Sequence, residues 1–353
     1  MTDIKPREFC GKLVSPPPAK SAGRPVGFAA AVTGGGSAKG AAPPNIQTLK
    51  TWLSDATSRV ILIDRLFDFT DSEGNTTGPG CSIWPQCSNG AQAQVAIDFR
   101  GWCAPDRKLS KGGYNSPGGR QQQVSLGSWC KRCDQRQRNI AITYLNPHAV
   151  WGGDAITFNG ATDVWIDHCT ISLIGRQMIS AGGSFPNAGI TMSANHFVGK
   201  SPWSTDCRGQ HYWTIILGGQ GDQMTLADNF NNYHSGTRGQ AAEVSQGGTM
   251  IMEADVFEDS GPTNPNQANA QIGGALFAPF SPQEAQSCSG SLGRACVPNL
   301  ISRAPSGAPY KFAVNAAALN AARSLPAVKG ARVQPAASVL QRKMSQCGVG
   351  KIG

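Results

Sequence analysis

The sequence predicts an all-β solenoid, a stack of short strands joined by turns. Three observations carry that expectation. Only 15% of the 353 residues are charged while 43 are glycine, a balance that suits a turn-rich β protein better than a helical one. Between residues 139 and 257, short β-rich pieces recur: IAITYL, DAITF, VWIDHCTIS, ITMSANHF, WTIIL, MTLADNF and MIMEADVF. The pieces ITMSANHF, MTLADNF and MIMEADVF share one pattern, and their spacing is of the order that coils of a solenoid produce. An ordinary β-sandwich is the rival reading of the same short strands.

The elements follow in chain order. Residues 1–27, rich in Pro, Ala and Lys, read as a loose tail. Ile46, Leu49 and Leu53 are spaced as on a helix after Asn45, which is a suitable N-cap. A helix there, just before a first strand at Val60–Ile63, suits the cap that a solenoid needs over its open apolar end. Stacked parallel strands are expected from about residue 60 to 257, with Ile156, Ile166, Ile190, Ile215 and Leu226 facing inward. Asn195 and Asn229 take matching places in the repeat, with Asp255 at the third. Asn at a tight bend tolerates left-handed backbone and can stack in ladders. Residues 28–302 thus form the main domain, and 303–353 an Ala- and Pro-rich, irregular tail with one short helix at 336–346, started after Pro335 and stopped at Gly348.

The formal charge of +9 allows an acidic polymer as partner. No Lys/Arg-rich run of nucleic-acid type occurs, so nucleic acid is not the expected partner. No run of about 18 apolar residues could span a membrane, and the opening MTDIKPREFCGKLVSPPPAK lacks the apolar core of a signal peptide. Eleven cysteines are nevertheless many for a reduced compartment. Cys130 and Cys133 form a lone CxxC, a weak metal signal without a second pair. Asn75-Thr76-Thr77 is an N-glycosylation acceptor if the chain is exported.

The most informative stretch is WGGDAITFNGATDVWIDHCTISLIGRQ, from Trp151 to Gln177. Asp154 follows a Gly-Gly pair, Asp167 and His168 stand together, and Arg176 follows a glycine. Charged groups beside strands this rich in Val, Ile, Thr and Trp are costly to bury unless paired, so they belong at an edge or in a groove. A surface salt bridge is the plain reading of such a set, and a site of chemistry is the other.

GGDAIT, VWIDHCTIS and IGRQM resemble the matching blocks of the pectin and pectate lyase family, specifically its fungal and oomycete pectin lyase branch. The blocks VTGGGSAKGAAPPNIQTLKTWL, RVILIDRLFDFTDSEGNTTGPGC, ITMSANHF, CRGQHYWTIIL and CSGSLGRACVPNLIS agree in order, and the likeness covers roughly three quarters of the chain. The resemblance implies a right-handed parallel β-helix, a secreted monomer, and the disulfides Cys81–Cys103, Cys87–Cys207 and Cys288–Cys296. Cys10, Cys130, Cys133, Cys169 and Cys347 stay unassigned. Residues 112–137 and 229–244 depart from the family, each short by about one coil, and distortion is expected there.

The implied chemistry is β-elimination on polygalacturonan. A base takes the C5 proton, the C4 oxygen leaves, and charge builds on the carboxyl group, where the protein must supply positive charge. A methyl ester itself helps to stabilise that charge, so an enzyme for pectin needs less external cation. The calcium-dependent branch holds its metal with several acids. Here Asp154 has no second acid beside it, and Arg176 stands where that branch places another. The resemblance therefore implies a guanidinium in place of metal, held by Asp154, and no cofactor. The family's base is an arginine in an HTSGR block, and the nearest match is Arg238 in His234-Ser235-Gly236-Thr237-Arg238, with an intruding Thr. Trp84, Trp102, Trp151 and Trp213 match residues that line an aromatic cleft for esterified chains, with core packing as the alternative. His168 and His211 read as satisfied structural histidines. Two other readings remain: a calcium-dependent pectate lyase, and a non-catalytic family member that binds pectin.

Overall fold

A computed structural model describes residues 12–14, 24–55, 57–69, 72, 78–81, 93–94, 114–116, 135–145, 147, 154–182, 187–202, 209–219, 225–264, 267, 272–305, 312–323 and 326–346. Its core is a parallel β-helix. The chain visits three sheets in turn: Ile156–Phe158 in a four-stranded sheet, Thr162–Asp167 in a six-stranded sheet and Thr170–Ile174 in an eight-stranded sheet. The next coil repeats the circuit with Ile179–Ala181, Asn187–Ser193 and His196–Val198. His211–Leu217, Thr225–Phe230 and Tyr233–Ser235 follow, then Thr237–Val244, Gly248–Glu253 and Val256–Glu258. Pairing is parallel between these successive coils, with the register shifting only at Asn187/Ile190 and at His211/Trp213. Among the described residues the parallel stack runs from Gln135–Arg138 to Leu300–Arg303. It ends later than the sequence suggests, and nearer the expected start Val60–Ile61 pairs in parallel with Gly40–Ala41 and Gly78–Cys81 with Ala93–Gln94, in separate sheets.

Stacking brings like residues over like. Ile156, Ile179, Ile215 and Ala242 align in the four-stranded sheet. Val164, Ile190, Ala227, Met250 and Leu276 align in the six-stranded one. All of these are buried in the interior cluster, as is Ile166. Leu226 corrects the expectation. Period-two alternation puts Ala227 inside, and Leu226 packs on the outer face against a cluster holding Phe28, Ile251, Phe277 and Leu319.

The corner between the second and third strands of each coil needs a left-handed residue. Asn139, His168, Ala194, Asn231 and Ala254 supply it with φ of 57°, 52°, 51°, 57° and 55°. The residue after that corner carries a ladder. Asn195 Oδ1 accepts from Cys169 N at 2.9 Å, Asn232 Oδ1 from Asn195 N at 2.8 Å, Asp255 Oδ1 from Asn232 N at 2.7 Å, and Asn299 Oδ1 from Asp255 N at 2.9 Å. The second rung is thus Asn232 rather than Asn229, which lies three residues earlier on a strand and donates to Asp255. Burial pushes the Asp255 carboxyl well above its ordinary range, against the opposing pull of the Asn232 and Asn229 N–H groups that its two oxygens accept from.

One interior stack carries an anomaly. Ile142, Ile171, Phe197, His234, Phe257 and Ile301 align through successive coils. The His234 ring lies 4.8 Å from that of Phe197 and 5.0 Å from that of Phe257, nearly parallel to both. Neither of its nitrogens has a hydrogen-bond partner, and burial lowers its pKa to about 3. Replacing it by a third aromatic removes the unpaired polar atoms without opening a cavity. His234→Phe is expected to raise stability by about 1–2 kcal/mol at neutral pH, measured by chemical denaturation. The folded-state pKa lies below the ordinary value of 6.5, so the histidine's contribution is intact above that value and is lost as pH falls toward 3. The gap between variant and parent should therefore widen on acidification, and a constant gap would refute the assignment.

The capping helix is Ile46–Ser54, with Asn45 Oδ1 accepting from Thr48 N at 2.9 Å and Leu49 buried in the interior cluster. Other terminal expectations change. Within the supposedly loose residues 1–27, Lys12–Val14 pairs antiparallel with both Ala141–Leu145 and Phe67–Asp68. Just beyond, Phe28 N donates to Asp228 and Ala29 N to Thr191 Oγ1, which docks this segment outside the six-stranded sheet. The C-terminal tail is not irregular. It forms the helices Ala316–Ala322, Pro326–Lys329 and Ala336–Gln346. Their apolar faces cover the outer clusters through Leu319, Val328 and Val339, and Phe277 meets Val314 in an antiparallel bridge. The Cys288–Cys296 disulfide is present, with Cα atoms 5.5 Å apart. The pairs Cys81–Cys103 and Cys87–Cys207 cannot be placed, because Cys87, Cys103, Cys207 and the Cys81 side chain lie outside the described residues. No described helix is long and apolar enough to cross a membrane.

The expected distortion at 229–244 reduces to one turn and one bulge. Tyr233–Ser235 passes directly into Thr237–Val244 through Gly236, at φ 72°. A Cβ there would stand 3.0 Å from Lys200 N, so glycine permits the tight passage. Pairing then runs from His211↔Thr237 to Trp213↔Gln240, which leaves one extra residue in the second strand. Most of 112–137 lies outside the described residues, but Gln135–Arg138 joins the stack in parallel. There Arg136 and Arg138 lie 4.8 and 5.0 Å from the Trp165 ring, which shields their charge in place of an apolar strand pair.

Candidate active site

The four-stranded sheet carries the candidate site at the N-terminal ends of its strands. Asp154 precedes Ile156–Phe158 by two residues, Gln177 precedes Ile179–Ala181 by two, and Trp213 precedes Ile215 by two within its strand. Because Ile156, Ile179 and Ile215 are in register, these three residues form one row across successive coils. Gln240 pairs with Trp213 and extends the row.

Asp154 and Arg176 meet. Arg176 Nη1 lies 3.7 Å from Asp154 Oδ2, with the carboxylate side chain 6% exposed and the arginine 36% exposed. The other carboxylate oxygen, Oδ1, accepts a hydrogen bond from Gln177 N at 2.9 Å. The acid is therefore fixed by backbone and presents one face to the guanidinium, which reaches solvent. The backbone is tied on both sides, since Ala155 N donates to Gln177 O and Met178 N to Thr214 O, both at 2.9 Å. Such a fixed, half-solvated guanidinium can stabilise charge on a ligand without first having to be ordered.

Trp213 lies two coils from Asp154 and is 9% exposed, its ring 5.1 Å from Tyr212 and 6.4 Å from His211, edge-on to both. Arg238 is the second residue of Thr237–Val244, inside the bulge, on the strand next to the one that bears Trp213. Arg176 lies in the bend before Ile179–Ala181, and the strand His211–Leu217 separates that strand from the one that bears Arg238. Trp84, Trp102 and Trp151 lie outside the described residues.

The nearby acids are engaged elsewhere. Asp167 Oδ2 takes Arg138 Nε at 2.5 Å and His168 Nδ1 at 2.7 Å, and Asp167 Oδ1 takes Ser193 Oγ at 2.7 Å. These partners hold the Asp167 carboxyl below its usual range against the cost of burial. Among the described residues no cluster of three or more His, Cys, Asp or Glu is placed to hold a metal ion.

No family model matches the chain. Individual proteins do. It is 35% identical to probable pectin lyase F-2 of Aspergillus terreus, across 94% of this chain and 74% of that one. It is 36% identical to probable pectin lyase E of Aspergillus fumigatus, across 95% and 96%. The chain belongs to the pectin lyase family. Among solved structures, this pectin lyase family member is similar to a pectate lyase of Paenibacillus sp. 0602, with a TM-score of 0.48 and 12% identity over 93% of this chain and 96% of that one. A Bacillus subtilis pectate lyase gives 0.44 and 14%, over 95% and 99%.

Two features of the family member's site were not legible in the sequence. Gln177 joins the row because its backbone N–H meets Asp154, and its Oε1 is buried without a partner. His211 sits beside Arg176 across the coils and hydrogen-bonds to its carbonyl. Only the register between coils reveals that proximity, since 35 residues separate the pair in sequence.

Proposed function

We propose that the chain is a secreted, metal-independent pectin lyase that acts as a monomer. It cleaves methyl-esterified polygalacturonan by β-elimination and leaves a 4,5-unsaturated uronate at the new end. The observation that carries the reading is the half-exposed Arg176 guanidinium beside a buried Asp154 carboxylate, in a relative of pectin lyases. As the C5 proton leaves, negative charge grows on the ester carbonyl, and Arg176 is suited to meet it. Asp154 keeps the guanidinium aimed. Arg238 is the candidate base. Arginine ordinarily stays protonated, so this role requires proton transfer concerted with substrate contact.

A second reading, a pectin-binding protein without catalysis, is favoured by the bulge at Arg238, which changes the direction of the strand where the base would be carried. The test is ultraviolet absorbance of the unsaturated product from highly esterified pectin and from polygalacturonate, with and without chelator. Product from the esterified polymer, unaffected by chelator, is the expected result. Product from polygalacturonate alone, abolished by chelator, replaces this reading with a calcium-dependent one, and absence of product on both supports the non-catalytic one. With activity established, Arg238→Lys should lower kcat by about 100-fold or more if Arg238 is the base.

A further inference from the structure

Arg176 and Gln177 share a peptide group that is gripped from both sides. Its N–H donates to Asp154 Oδ1 at 2.9 Å, from the coil on one side. Its carbonyl meets His211 Nε2, from the coil on the other. A carbonyl oxygen can only accept, so Nε2 must carry the proton. His211 is 5% exposed, and the edge of its ring faces Trp213. Its backbone pairs with Thr237 in the next coil, so the imidazole is anchored by the same stacking that orders the sheet. Rotation of the 176–177 peptide is the motion that would swing the guanidinium away from Asp154 Oδ2, and the two hydrogen bonds oppose it from opposite ends.

From this clamp we infer that His211 is a positioning residue for the elimination reaction, holding Arg176 where it meets the charge developing on the substrate. The inference rests on the lyase reading above. His211 touches neither substrate nor a reacting atom; it acts through the backbone of Arg176. Burial keeps it neutral, with a pKa lowered to about 4, so the donor persists across the mildly acidic range. Loss of the donor frees one end of the peptide and leaves a buried carbonyl unpaired. A small displacement of a charge-stabilising group costs rate more than ground-state binding.

The experiment compares His211→Phe, which keeps the ring and removes the donor, with His211→Gln, whose amide nitrogen can reach the same carbonyl. On esterified pectin, His211→Phe is expected to lower kcat by about tenfold or more with KM changed by less than about threefold, and His211→Gln to stay within about threefold of the parent. A purely structural role would instead lower the melting temperature of the variants and leave kcat per folded molecule unchanged, which would overturn the inference. Equal impairment of both variants would also overturn it. The clamp has a readout that needs no activity and no variant: the ring-nitrogen magnetic resonance of His211 at neutral pH should show the proton on Nε2, and a proton on Nδ1 refutes it. If the parent chain yields no product on any pectin, the lyase reading fails and takes the positioning role with it, while the ring nitrogens still decide the clamp.

Discussion

Arg176→Ala is expected to lower kcat on esterified pectin by about 100- to 1000-fold, the loss typical of removing a preorganised group that stabilises transition-state charge. KM should move much less, because a neutral ester in the ground state offers the guanidinium little to hold. Asp154 separates two contributions. Asp154→Ala removes both the counter-charge of Arg176 and the acceptor of Gln177 N. Asp154→Asn keeps an acceptor for that N–H and removes only the charge. If charge orients Arg176, both variants should lose rate, and only alanine should also lose about 1–3 kcal/mol of stability from the stranded N–H. The 36% exposure of Arg176 argues against assigning stability to the ion pair itself, since water screens it. A fully active Arg176→Ala enzyme would remove the guanidinium from the mechanism.

The second large effect is on stability. Asn232→Ala is expected to cost about 1–3 kcal/mol, because it strands the buried backbone N–H of Asn195 and removes a donor to Met192 O. Asn232 Oδ1 accepts from Asn195 N at 2.8 Å, and its Nδ2 donates to Met192 O at 3.0 Å. Asn195 N lies at a corner where strand pairing gives way to turn, whereas Met192 lies within the paired strand Asn187–Ser193. Urea denaturation measures the loss. A cost under about 0.5 kcal/mol would mean that water fills the rung.

Much of the interior was legible in the sequence, and the misses have physical reasons. Ile156, Ile166, Ile190 and Ile215 are wholly or almost wholly buried as expected, because β-branched residues in short alternating strands mark the inward face. Leu226 misled because this sheet has a second covered face. The helices Ala316–Ala322 and Pro326–Lys329 pack in the cluster outside the six-stranded sheet, so apolar residues occupy both sides and alternation loses its meaning there. Asn229 misled because it stands directly before Phe230 in the recurring piece, whereas the corner is set by the left-handed residue that comes before the ladder position, here Asn231. The tail's helices are built largely from alanine, which reads as weakly apolar until packing gives it a surface to fill. At the site, Asp154 and Arg176 were named from the sequence and do lie together. The contact of His211 with the Arg176 carbonyl was hidden because a hydrogen bond between coils has no local signature.

The antiparallel pairings at the margins of the stack bear on the solution behaviour of the protein. A column of in-register parallel strands ends in open hydrogen-bonding rims that resemble each other, and such a rim invites a second molecule to dock and prolong the column into a fibre. Here Lys12–Val14, running opposite to Ala141–Leu145, caps the parallel run of the eight-stranded sheet and is itself flanked antiparallel by the edge strand Phe67–Asp68. The bridge from Phe277 to Val314 and the bond from Ala278 N to Ala313 O do the same beyond Ala275–Phe277. A reversed strand satisfies the rim but does not present the register that a further coil would need. The same chain that builds a repetitive column thereby ends its parallel run with short antiparallel segments.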